Sequence, residues 1–370
     1  MPKTIKILLS EHGLPDTKNG SWTQRLKYFL ESDYNIFDYV VCGPTTSQQK
    51  LKKVKTIYCK VVNNRFLLKL FPNIKFKNFM NPLKEIIGNN DNVIICVMDN
   101  IRLNNELSLF LEQNNLKSKV TIVFYNCGFS YYLEDREHIK FCKNIDKMIF
   151  LTQSAYEYNK AKYSEFIPEV SVLHNPVDKK QFKLISKETK TSLLQGYDLQ
   201  GKTVFLWLSH NRPKKGLKVI LKAWSIWAKD RTDVELLIVG VASENTLENV
   251  KFLGKIASNE VHTFYKLAHI YLFPTLWKEG FGLSLAQAIS SGCYCLAAAN
   301  GGVKDFMFKS DGKFIEHPNF IKDWISGMEE AYQNVKGGWK NETAGSQILS
   351  LEQWSEKFAD SIVNSEKEIK

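Results

Sequence analysis

The chain predicts an α/β protein of two units, each a mostly parallel sheet covered by helices. Two observations point there. Short apolar, strand-like runs alternate with amphipathic or polar stretches along the whole chain, the pattern of strands feeding crossover helices. The 370 residues are also enough for two full cores, and the largely polar stretch 184–202 reads as the linker between them.

In the first half the candidate strands are Ile5 to Ser10, Tyr39 to Gly43, Val93 to Met98, Val120 to Asn126, Met148 to Thr152 and Val170 to His174. The second unit opens at Thr203 with TVFLWLS. Leu217, Ile220, Leu221, Trp224 and Ala228 then fall on one helical face, with Gly216 just before them. At the end of the chain Ser350-Leu351-Glu352-Gln353 is a capping-box pattern, followed by the apolar stripe Leu351, Trp354, Phe358 and Ile362. No internal repeat or low-complexity tract is evident.

The most informative run is HIYLFPTLWKEGFGLSLAQAISSGCYCLAAANGG, from His269 to Gly302. Ile270 to Pro274 reads as a strand that Pro274 ends. Glu279-Gly280-Phe281-Gly282 turns the chain. Leu283 to Ser291 has helix-forming composition until Gly292 stops it, and Cys293 to Ala299 is a second apolar strand. Free amides at such a helix start, with glycines admitting a ligand to the backbone, form an anion site. Glu279 beside it is suited to accept hydrogen bonds from sugar hydroxyls, the outline of a nucleotide-sugar pocket.

That run resembles the group 1 (family 4) glycosyltransferases, whose signature there is Glu, seven residues, Glu, opening Glu-Gly-Phe-Gly. Glu279 keeps the first position and Gln287 occupies the second. VSVLHNPVDKKQF (170–182) is similar to the family's interdomain segment, and LWLSHNRPKKGLKVILKAW (206–224) to its phosphate-binding loop and helix. VELLIVG and VKFLGKIASNEVHTFYKLA follow in family order. The resemblance implies the GT-B fold, two Rossmann-like domains with parallel sheets facing each other across a cleft. It assigns 1–183 to the acceptor-binding domain, 184–202 to the linker, 203–349 to the nucleotide-sugar domain and 350–370 to a helix crossing back onto the N-terminal domain. It implies retention of anomeric configuration, no cofactor beyond the nucleotide-sugar co-substrate, and a glycan or lipid-linked acceptor of the kind used in polysaccharide, capsule or glycolipid synthesis.

Glycosyl transfer needs fixed positive charge and oriented amides at the leaving diphosphate. No Asp-x-Asp occurs in the chain, so a metal-independent reaction is expected, with charge from side chains and helix dipoles. Lys215 and Arg212 are the cations between strand end and helix start. The resemblance places His210 where most members have arginine, so either His210 or Arg212 is the second cation. It assigns donor contacts to Glu279, Gly280, Phe281, Gly282, Leu283 and Gln287, to Ile256 at the nucleobase, and to Asn19 and Gly20 in the loop after the first strand. On the acceptor side, Asn126 or Tyr125 replaces the family's histidine. Gln287, His210 and Asn126 together also fit a weakened relative that binds nucleotide sugar without efficient turnover.

The net charge of +11 is concentrated. Lys50 to Lys84 carries ten basic residues and no acidic one, interleaved with Phe66, Leu67, Leu68, Leu70, Phe71, Phe76 and Phe79. The segment suits an anionic lipid surface; it equally suits a solvated basic face whose aromatics belong to the core. Nucleic acid is disfavoured, since no helix-turn-helix, zinc or RRM-type pattern accompanies the charge. No run of ~20 apolar residues occurs to span a membrane. MPKTIKILLSEHG lacks a signal-peptide pattern, and seven scattered cysteines form no disulfide framework. A cytoplasmic protein, peripheral on the inner face of the membrane, is the expectation.

Overall fold

The structure, a computed structural model, describes residues 3–15, 21–243, 247–341, 343 and 345–364. The chain divides into two compact units, 1–174 with 351–370, and 175–350.

The first unit is built on seven parallel strands, β1 (Ile5–Ser10), β2 (Tyr39–Cys42), β3 (Lys55–Tyr58), β4 (Val93–Met98), β5 (Val120–Tyr125), β6 (Lys147–Phe150) and β7 (Glu169–Val172). They lie in the order β3-β2-β1-β4-β5-β6-β7, with Leu9 opposite both Val41 and Val97. β4 and β5 are buried along their whole length, as expected of central strands covered on both faces. The helices are α1 (Ser21–Glu31), α2 (Arg65–Leu70), α3 (Lys77–Gly88), α4 (Ile101–Gln113), α5 (Asp135–Cys142) and α6 (Gln153–Lys162). α3 buries Phe79, Met80, Leu83, Ile86 and Ile87, a 3-4 spacing that faces one side of the helix to the core. α4 starts where the Asn100 side chain accepts the Leu103 amide at 2.8 Å.

The second unit has six parallel strands, β8 (Thr203–Leu208), β9 (Val234–Val239), β10 (Val250–Phe252), β11 (Ile270–Phe273), β12 (Tyr294–Ala298) and β13 (Gly312–Ile315), in the order β10-β9-β8-β11-β12-β13. Its helices are α7 (Lys187–Gly196), α8 (Leu217–Trp227), α9 (Val261–Leu267), α10 (Leu283–Ser290) and α11 (Ile321–Lys336). α8 and α11 bring Ile220, Trp224, Trp227, Trp324 and Met328 into a core with Phe205, Trp207 and Leu236. In both sheets the strand order reverses beside the first strand, between β1 and β4 and between β8 and β11. Ligands bind beyond the carboxyl ends of the strands at such a point.

The last helix, α12 (Leu351–Val363), belongs to the first unit. Trp354, Phe358 and Ile362 are fully buried. The Phe358 ring lies 5.0 Å from Phe29 of α1 and 5.5 Å from Tyr125 of β5.

Three expectations are corrected. Residues 184–202 are not a free linker, because α7 packs within the second unit: Lys190 donates to the Ala268 carbonyl at 2.7 Å and Leu199 is buried. The polar composition that suggested a linker is that of a surface helix with no fully buried residue. The first unit ends near His174 rather than at residue 183. Val177 donates its amide to Leu349 at 2.9 Å, and Lys179 bonds the Gly345 carbonyl at 2.6 Å and Ser290 at 3.2 Å, which ties 175–183 to the second unit. β3 was also missed. It is a four-residue edge strand with no fully buried residue and shows little apolar patterning. Among the described residues no helix is long and apolar enough to cross a membrane.

One part-buried polar contact gives the second unit a pH response. His269 accepts the Val204 amide on Nδ1 at 3.0 Å, and burial, then Lys190 and Lys336, lower its pKa from 6.5 to about 3. Between those values the unfolded chain binds a proton that the folded chain refuses. Stability is therefore full above pH 6.5 and is lost as pH falls towards 3, by at most ~1.4 kcal/mol per pH unit for this one group. Urea midpoints measured from pH 7 to pH 4 should fall less steeply for His269→Asn than for the unaltered protein.

Candidate active site

The reversal point of the second sheet lies between the parallel neighbours β8 and β11, whose connections run to opposite sides of the sheet, and the two loops are held together by backbone. Gly216, in the left-handed region at φ +71°, begins α8. A Cβ there would lie 1.9 Å from the Pro274 carbonyl oxygen, so only glycine permits the approach. Beside it Leu276 donates its amide to the Lys214 carbonyl at 2.8 Å. Gly301, at φ +77°, does the same for the loop after β12. A Cβ there would meet the Glu279 carbonyl at 2.4 Å and its nitrogen at 2.5 Å, while Gly302 donates to the Glu279 carbonyl at 2.9 Å. Asn300 adds a bond to the Thr275 carbonyl at 3.0 Å.

These close approaches bring Lys215 and Glu279 into contact. The Lys215 ammonium donates to Glu279 Oε1 as an ion pair, and buried Thr275 donates its hydroxyl to the same oxygen at 2.9 Å. The two charged side chains are 24% and 17% exposed, so the pair is sheltered yet open to a ligand. The carboxylate is fixed at one oxygen and keeps acceptor capacity for hydroxyl groups. Lys214 lies 5.0 Å over the half-exposed Trp277 ring, adding a second lysine to the rim. α10 starts at Gly282, φ +94°, three residues beyond Glu279.

The remaining expected residues are placed as follows. His210 and Arg212 are exposed on the loop between β8 and α8, with the Arg212 amide bonded to the His210 carbonyl at 2.8 Å. Gly280 and Leu283 flank the start of α10. The Phe281 ring lies in the core: it is 2% exposed and stacks on Phe306 at 4.3 Å. Gln287 is half-buried on α10 and accepts the Tyr265 hydroxyl at 3.3 Å. Ile256 follows β10, two strands from β8, and is half-buried. In the first unit, Tyr125 is fully buried with its ring against Phe358 and the Arg25 guanidinium 5.5 Å from its centre, so its ring serves the core rather than an acceptor. Asn126, also buried, donates its side-chain amide to the Gly128 carbonyl at 3.0 Å. Asn19 and Gly20 lie outside the described residues.

Residues 194–338 match the group 1 glycosyl transferases, the stretch that contains Lys215, Glu279 and both close-approach glycines. The matched residues lie within the second unit, which is similar to a group 1 glycosyltransferase domain. Curated relatives include the phosphatidyl-myo-inositol mannosyltransferase of Mycolicibacterium smegmatis, 32% identical over 29% of this chain and 30% of that protein. The match thus spans less than a third of the mannosyltransferase. A longer match, 22% identical over 78% of this chain and 77% of the relative, is to the lipopolysaccharide 1,2-N-acetylglucosaminetransferase of Salmonella typhimurium. Solved structures align over nearly the whole chain. A glycosyltransferase from Rickettsia africae has a TM-score of 0.76 at 15% identity, covering 99% of both chains. Anabaena Alr3699/HepE in complex with UDP and glucose has a TM-score of 0.69 at 14% identity, covering 97% of this chain and 100% of that one. These likenesses establish the GT-B fold.

Thr275 and Asn300 were not anticipated. Their signal was position: Thr275 follows the proline that ends β11, and Asn300 opens the Asn-Gly-Gly that ends β12. The geometry separates residues that hold the site from residues that act in it. Gly216→Ala and Gly301→Ala each place a methyl inside backbone contact distance and should lower stability by more than ~2 kcal/mol. Lys215→Ala, which breaks a partly exposed ion pair, should change it by ~1 kcal/mol or less. Urea denaturation of the three variants checks both statements.

Proposed function

We propose that the chain transfers a sugar from a nucleotide-sugar donor to a glycan or lipid-linked acceptor, with retention of configuration and without a metal ion. The observation that carries this is the meeting of Lys215 and Glu279 at the sheet's reversal point. A diphosphate arriving at the start of α8 and α10 would take the Lys215 ammonium, with Arg212 or His210 as the second cation. The sugar hydroxyls would take Glu279, which Thr275 keeps in place. As the bond from the anomeric carbon to the phosphate oxygen breaks, the acceptor hydroxyl oxygen bonds that carbon on the same face. Its proton passes to the departing phosphate oxygen, so atoms and charge balance without a covalent enzyme intermediate. The acceptor class is supported by the relatives named for phosphatidyl-myo-inositol and lipopolysaccharide, and the donor class by the UDP complex of similar fold.

A screen of purified nucleotide sugars for transfer or slow hydrolysis identifies the donor. With that donor, Lys215→Ala should lower turnover by ~100-fold or more while the protein melts close to the unaltered one. Activity should persist in EDTA. Unchanged turnover in a folded Lys215→Ala protein, or loss in EDTA restored by manganese or magnesium, would count against the assignment.

We further propose that the basic segment of the first unit rests on anionic lipid, where a lipid-linked acceptor is presented. Folding divides this segment. Phe76 and Phe79 are fully buried, whereas Phe66, Leu67, Leu70 and Phe71 are 40–71% exposed on and beside α2, a helix with no buried residue. Arg65 and Lys69 lie on the same helix, and Lys50, Lys52, Lys53, Lys55, Lys60, Lys77 and Lys84 are exposed around it in sequence. Exposed aromatics beside cations suit a headgroup boundary, where each cation contributes on the order of 1 kcal/mol. Sedimentation with phosphatidylserine vesicles should exceed that with phosphatidylcholine and fall with salt. Phe66→Ser with Phe71→Ser should reduce it. Equal binding to both vesicles, or none, leaves a solvated basic face.

A further inference from the structure

The first sheet also reverses its strand order, between β1 and β4, and a second charged pair stands just beyond the strand ends there. Glu11 follows β1 directly. Its Oε1 accepts the Lys75 ammonium at 2.5 Å, and its Oε2 accepts the side-chain amide of Asn100, the residue that caps α4. The Lys75 and Glu11 side chains are 22% and 24% exposed, so the pair is sheltered much as Lys215 and Glu279 are and, like them, open to a ligand. Backbone contacts hold both partners in place. A Cβ on Gly43, just after β2, would lie 2.0 Å from the Glu11 carbonyl oxygen, and one on Gly13 would lie 2.3 Å from that of Pro44. On the other side, the Lys75 carbonyl accepts the Val62 amide at 2.9 Å, and the next amide, that of Phe76, bonds the buried Glu106 carboxylate at 2.7 Å. These segments stay in place without the ion pair, so its two side chains are free to exchange partners.

A ligand entering such a pair must answer both charges. A hydroxyl donates to the carboxylate, and an anionic oxygen takes the ammonium. An uncharged polyol would part the pair and leave Lys75 sheltered without a counter-charge, at a cost to binding. A ligand with an anionic group close to a hydroxyl replaces both partners at once. We propose that the Lys75–Glu11 pair recognises the acceptor and selects one that bears a phosphate close to its sugar or polyol hydroxyls, with the phosphate on Lys75 and a hydroxyl on Glu11. The proposal rests on the nucleotide-sugar reading above and adds to it the charge of the acceptor. A soluble sugar phosphate and a lipid headgroup carry the same chemistry to Lys75, which belongs to the basic segment 50–84.

The test supplies the full chain with the nucleotide sugar it turns over and offers glucose, glucose 6-phosphate and phosphatidylglycerol vesicles as acceptors. Transfer to a phosphate-bearing acceptor should exceed transfer to glucose by about tenfold or more in kcat/KM, the effect of one charge-assisted hydrogen bond. Use of the vesicles alone assigns the phosphate to a lipid headgroup, and use of glucose 6-phosphate assigns it to a soluble sugar. Lys75→Ala should erase the preference, chiefly through KM for the acceptor, and Lys75→Arg should keep most of it. Affinity for the donor's nucleoside diphosphate, read by calorimetry, should be the same in Lys75→Ala as in the unaltered protein, which separates lost recognition from a disturbed fold. Glu11→Gln should lower kcat/KM for every acceptor used. Transfer to neither phosphate-bearing acceptor, equal use of glucose, a preference that survives Lys75→Ala, or nucleotide affinity that falls with it would each overturn the proposal. If the unaltered protein neither binds nor turns over any nucleotide sugar, that reading fails and this inference with it. If it turns one over without preferring a phosphate-bearing acceptor, only this inference fails.

Discussion

The site depends on one close approach, that of Gly216 to the end of β11. β8 and β11 are neighbours whose connections run to opposite sides of the sheet, so the loops leaving them part unless something draws them together. A glycine without Cβ, in a backbone conformation that other residues resist, lets the start of α8 rest on the Pro274 carbonyl. Gly301 repeats the device for the loop after β12. Three chain segments far apart in sequence thus meet within contact distance, and Lys215, Thr275, Glu279 and Asn300 converge as a consequence.

That convergence resolves an electrostatic problem. A carboxylate and an ammonium held apart in a sheltered crevice would each lose hydration without return. Held together they offset one another, and each keeps some access to solvent. The backbone supplies most of the rigidity, through the Leu276–Lys214 and Gly302–Glu279 bonds. The charged pair can therefore exchange partners without the loops coming apart. On the proposed reading, a diphosphate replaces the carboxylate at Lys215 and sugar hydroxyls replace the ammonium at Glu279.

The first unit uses its charge differently. Sequence shows a single basic and aromatic stretch, but the fold sends its later aromatics inward on α3 and the start of that helix, and leaves the earlier ones outward on α2. The distinction follows from length. α3 runs twelve residues and presents a full apolar face to the sheet. α2 runs six and has no room to do so, which leaves its apolar side chains beside lysines at the surface.

The sequence alone determined the α/β class, most strands and the loop carrying Glu279. Central parallel strands are apolar throughout, and glycine and proline punctuate their ends, both of which are local signals. It also singled out Lys215 and Glu279, from their places beside glycines and helix starts. Contacts between distant segments were beyond its reach. Residues 184–202 looked like a linker because a helix exposed along most of its surface is polar, and only its packing against the Ala268 region places it in a domain. The resemblance assigned Phe281 and Tyr125 to the site, and tertiary packing places both rings in the core, against Phe306 and Phe358. Thr275 and Asn300 carry no local pattern at all. Their roles are decided by which strands lie side by side, a property of the whole sheet that no short stretch of residues contains.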